Sequence, residues 1–88
     1  MVYITAVHME GGERHEHIAS VRWSNPADGK SDVSTRATMV DWIKKGGDAR
    51  VTDGRNEVQV GVVDANPPYL RTFADGKPTD NLLALPRF

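Results

Sequence analysis

The chain contains no cysteine. A disulfide framework, a thiolate zinc site and a thiol nucleophile are therefore excluded, and for so short a domain the absence points to a reducing interior. Long apolar runs are missing as well. Nothing approaches the ~20 residues of a membrane-spanning helix, and the N-terminus lacks the basic segment followed by an apolar one that marks a secretory leader. Charge excess is absent too: eleven Lys and Arg against twelve Asp and Glu give a net charge of −1. That balance leaves no electrostatic footprint for duplex DNA or an anionic membrane. A cytoplasmic globular domain is the expectation.

Catalytic signatures are equally scarce. Serines stand at 20, 24, 31 and 34, none in a Gly-x-Ser-x-Gly elbow, and no glycine-rich phosphate loop precedes a Lys-Ser/Thr pair. Asp75-Gly76 with Asp80 and Asn81 has the look of a calcium loop, but it lacks alternating ligands and the closing bidentate glutamate. An enzyme is not expected, and neither is a cofactor.

What remains is architecture. At 88 residues the chain reads as one domain, 1–88, burying roughly 60–65% of its unfolded surface. Residues 2–9 and 17–24 are β-rich and flank Gly11-Gly12 and a charged tip, the layout of an antiparallel hairpin. In the second strand a period of two puts Ala19, Val21 and Trp23 on one face. Asn25-Pro26-Ala27-Asp28-Gly29 is turn material. Ser34 or Thr35 can cap a helix over 35–45, in which Met39, Val40, Trp42 and Ile43 form one apolar arc. Arg36 projects onto that arc, so its guanidinium must escape past the rim or serve a ligand. Gly46-Gly47 stops the helix.

Beyond the helix, a short strand at 49–53 turns at Asp53-Gly54 into a longer one at 57–65, where Val58, Val60 and Val62 alternate with wet residues. After Asn66-Pro67-Pro68, a last strand over 69–73 has faces Tyr69/Arg71/Phe73 and Leu70/Thr72. The fold class that results is α+β: a small antiparallel sheet with one packed helix, order ββαβββ. Leu82, Leu83, Leu85 and Phe88 are then expected to fold back as a turn or short helix that closes the core, since a domain this small cannot leave them in water. A strand at the sheet margin can pair across a homodimer.

Three histidines cluster near the first hairpin. Simple pairing sets His8 opposite His17, with His15 on the same face; the loop fixes no ligand geometry and matches no closed-site signature, so no metal is expected.

Four stretches carry a family resemblance: Ile4-Thr5-Ala6-Val7, Tyr69-Leu70-Arg71, Asp75-Gly76 with Asn81-Leu82, and Leu85-Pro86. With them the chain resembles a family of short proteins of bacteria and their phages known as a domain of unknown function (number three-eight-nine-two). The resemblance implies no activity, cofactor or site residue. The residues themselves suggest a protein-interaction or modulator module, which the resemblance implies is from a bacterium or phage, with Trp23, Arg36, Tyr69 and Arg71 as candidate binding residues, because Trp, Tyr and Arg dominate binding hot spots. The alternative is a nucleic-acid or small anionic ligand binder using Arg71, Tyr69 and Arg36.

Overall fold

A computed structural model describes all residues, 1–88. Seven strands form a single sheet: β1 (Val2–Met9), β2 (Ile18–Ser24), β3 (Ser31–Thr35), β4 (Ala49–Thr52), β5 (Glu57–Val63), β6 (Tyr69–Ala74) and β7 (Lys77–Thr79). One helix, α1 (Arg36–Lys44), and one 310 turn, His15–His17, complete the set. The spatial order is β3-β2-β1-β4-β5-β6-β7. A continuous row of paired residues crosses all seven strands: Ser31, Ser24, Tyr3, Arg50, Gln59, Phe73 and Pro78.

The expected α+β class with one packed helix is present, but the order is βββαββββ. Two strands were not anticipated, β3 and β7, and both are sheet edges. Edge strands face water on both sides and need no alternation; β3 reads Ser-Asp-Val-Ser-Thr and is almost wholly exposed. β7 contains Pro78, a residue tolerated in sheets chiefly at edges. The sheet is also not purely antiparallel, because β4 pairs parallel to β1 through Val2–Ala49 and Tyr3–Arg50. The connection through β3 and α1 is what allows this, since parallel neighbours need a long crossover.

Two irregularities in the β1–β2 pair correct the expected faces. Ile4 pairs with Trp23 and Ala6 with Arg22, leaving Thr5 extra; His8 pairs with Ser20 and Met9 with Ile18, leaving Ala19 extra. Each such bulge reverses the alternation that follows it. Ile18 therefore enters the core, fully buried, where Ala19 was expected. His8 pairs with Ser20 and not with His17, because His17 lies in the 310 turn before β2.

Thr35 caps α1, its side-chain oxygen accepting from the Thr38 N–H at 3.2 Å. The helix ends where Gly46 adopts φ 100°, with Gly46 N–H and Gly47 N–H donating to the carbonyls of Ile43 and Trp42, a glycine-terminated cap. α1 touches β2 and β3 on one side and β5 and β6 on the other, so the sheet curls around it. Met39 and Val40 meet Ile4, Val7, Val21, Val60 and Leu70 in a single core.

The C-terminus closes that core. Three successive i to i+3 bonds wind residues 80–85 into a turn, which carries Leu82 to full burial, with Leu83 and Leu85 packed against the cluster. The chain then runs beside β1, where Val7 N–H donates to the Pro86 carbonyl (3.0 Å) and Phe88 N–H to the Val7 carbonyl (3.2 Å). β1 thus pairs with β4 at its start and with the C-terminal segment at its end.

Candidate functional site

One apolar hollow opens at the surface, at the junction of β2, β3 and α1. Its volume is about 300 Å³. Val2 and Met39, both core residues, lie at its base, and the indoles of Trp23 and Trp42 supply its aromatic walls. Asn25, Ser34 and Thr38 contribute the polar groups. No titratable side chain lines it.

Both indoles are held in place by neighbouring residues. Trp23 donates its Nε1–H to Ser34 Oγ at 3.0 Å, a bond between adjacent strands. Trp42 lies on Gly47 so closely that a Cβ there would come within 2.3 Å of its ring. The ring fits only because that residue is glycine. Trp42 was expected in the apolar arc of the helix; the residue is instead 38% exposed, its ring lying over Gly47 and lining the hollow.

Of the four residues singled out from sequence, only Tyr69 and Arg71 share a strand face, on β6. Trp23 lines the hollow. Arg36 lies in a second, shallower depression with Glu10, Glu16 and His17, and its guanidinium donates to the Glu16 carbonyl at 2.7 Å, tying the helix start to the 310 turn. Tyr69 is half-buried opposite Val63. Arg71 donates from Nη2 to Asp80 Oδ1 at 3.1 Å. Asn25, Ser34, Thr38 and Gly47 were not identified from sequence as site residues, since a single Asn, Ser or Thr carries no signal without its neighbours in space.

The histidines are likewise dispersed, and no group of three His, Asp or Glu side chains comes together as metal ligands. His8 Nδ1 meets the Phe88 main-chain oxygen at 2.5 Å; the Phe88 ring packs against the His8 ring, and the Arg22 guanidinium lies 4.6 Å from its centroid. His17 Nδ1 accepts from the Arg14 N–H. His15 is buried, its Nε2 without a hydrogen bond and 3.8 Å from Asp80 Oδ1. Burial pushes the His15 pKa below its ordinary value, and the Arg71 cation adds to the effect.

On the outer face of β1, β4 and β5 a polar network ties three strands. Asp48 accepts from Arg50 Nε (3.1 Å), Arg50 Nη2 (2.9 Å) and Gln59 Nε2 (2.6 Å), while the Tyr3 hydroxyl bonds Glu57. The Arg50 and Gln59 bonds hold the Asp48 carboxyl below its usual range, and the Glu57 carboxylate raises the Tyr3 phenol. These groups satisfy one another and leave no open acceptor set.

Fold and site together define a small α+β domain with a curled seven-stranded sheet and one neutral, tryptophan-walled cleft. The chain belongs to the family described as protein of unknown function DUF3892, whose model matches residues 3–86. No curated protein and no solved structure matches it. No helix is long and apolar enough to cross a membrane.

Proposed function

We propose that this chain is a non-enzymatic, cytoplasmic module of a bacterium or phage that binds another protein, with the Trp23–Trp42 cleft as its contact site. The observation that carries the reading is the cleft's lining: two fixed indoles, an apolar base and neutral polar groups, with nothing that titrates. Acid–base or nucleophilic chemistry needs a group of adjustable charge at the reacting atom, whereas an anchoring pocket needs apolar area and a few placed hydrogen bonds.

The anion-binding alternative has less support. The Arg36 and Arg71 guanidiniums already meet the Glu16 carbonyl and Asp80. Affinity capture from a bacterial lysate, run in parallel with the intact protein and Trp42→Ala, tests the proposal. A protein retained by the first and lost from the second is the expected result; identical captures from both, or none from either, would sink it.

A further inference from the structure

We infer that the 310 turn His15–His17 is a proton-released latch: when His15 takes up a proton, the tip of the first hairpin leaves β6 while the rest of the sheet stays folded. Three side chains from distant parts of the chain meet here. His15 comes from the turn before β2, Arg71 from β6 and Asp80 from the start of the C-terminal turn, and β6 packs against the 310 turn. The His15 side chain is only 8% exposed. Its Nε2 is buried without a hydrogen bond, as is Arg71 Nε.

This setting accepts the neutral ring. Arg71 Nη2 donates to Asp80 Oδ1 at 3.1 Å, whereas His15 Nε2 stands 3.8 Å from the same oxygen, beyond hydrogen-bond reach. The surrounding charges are already in balance. Arg71 from β6, and Arg36 reaching the Glu16 carbonyl from α1, are matched by Asp80 and by the Glu16 carboxylate of the turn itself. His17, the other titratable ring of the turn, accepts the Arg14 N–H through Nδ1. A proton on His15 adds an unmatched cation beside Arg71 on a ring that water barely reaches, and burial and the Arg71 charge both oppose it. Asp80 offsets little of this, being 74% exposed and already paired with Arg71; a carboxylate in water gains little from a nearby charge. Moving the turn into solvent hydrates the imidazolium and separates it from Arg71, so protonation favours the released form. Glu10, Glu16 and His17 line the depression that contains Arg36, so release also dismantles that depression.

Paramagnetic broadening of the His15 ring protons by a soluble gadolinium chelate reads how far water reaches the ring, and the amide signals of β5 and β6 show whether the sheet stays folded. The exposed fraction should rise at least about three-fold from pH 8 to pH 5, under the roughly thirty-fold ceiling set by a solvated imidazole of pKa about 6.5. Arg71→Met should blunt the rise, because it removes the neighbouring cation and leaves Asp80 to pair with the imidazolium. His17→Gln should leave the rise intact. A ring that stays shielded down to pH 5, whether or not it titrates, would overturn the latch. So would exposure that appears only as the β5 and β6 signals are lost, a rise of equal size in Arg71→Met, or one that disappears in His17→Gln.

Discussion

Trp42 and Gly47 are matched as ring and missing side chain: the indole occupies the space a Cβ would take, 2.3 Å from the ring carbon Cδ2. The contact joins the helix's last full turn to the residue that begins the run into β4. It also sets which way the indole faces.

Gly47→Ala is therefore expected to displace the ring rather than simply stiffen the chain. Overpacking of this kind costs about 1–3 kcal/mol, measurable as a lower urea midpoint, and the Trp42 indole signal should move. An unchanged midpoint and an unmoved signal would mean the ring has room elsewhere.

Leu82→Ala should cost about 2–5 kcal/mol, as for other fully buried leucines, since Leu82 has no exposed surface. Removing residues 82–88 should cost several kcal/mol more, because the β1 pairing goes with them. If the shortened chain melts like the intact one, the segment is a binding tail and not a closure.

Stability should fall as the solution becomes mildly acidic. The folded-state pKa of His15 lies below its unfolded value of about 6.5, so between the two the unfolded chain binds more protons, and stability drops as pH falls through that window. Asp48 acts lower on the scale. Its folded pKa lies below the unfolded value, so its contribution is present above about pH 4 and lost as pH falls through the folded value. Urea midpoints taken from pH 8 to pH 5 test the first effect, which should vanish in His15→Gln; a slope that persists there would assign it to another group.

Asp32 guards the open edge of β3. Its Oδ1 accepts the Val33 N–H at 2.7 Å, adding a charge and occupying a donor at the sheet margin, two devices that discourage edge pairing. Asp32→Val should produce concentration-dependent dimers or larger species in sedimentation experiments. A strictly monomeric variant would show that the edge is protected by something else.

The helix was legible because a capping Thr35, a spaced apolar arc and paired glycines all agree on one element. β5 and β6 were legible because Val58, Val60, Val62, Leu70 and Thr72 alternate with wetter neighbours. β3 and β7 were not, since an edge strand has no buried face to write a pattern. The extra residues at Thr5 and Ala19 reverse parity without any local mark, which moved Ile18 into the core, and the 310 turn that takes His17 out of the strand has no alternation to announce it. Of the cleft, Trp23 stood out by residue type alone. Asn25, Ser34 and Thr38 acquire meaning only once a loop, an edge strand and a helix meet.

Val7 bonds main-chain groups of residues 86 and 88, so the first strand is completed by residues made long after it. Contacts of such separation are slow to form, because a long loop must close before they stabilise anything. As the polypeptide emerges during synthesis, half of one β1 edge stays open until Pro86 to Phe88 arrive. The order of manufacture is thus opposed to the order of assembly: this domain acquires its final form after translation has passed Phe88, and a ribosome stalled short of it would hold a chain with an unsealed strand.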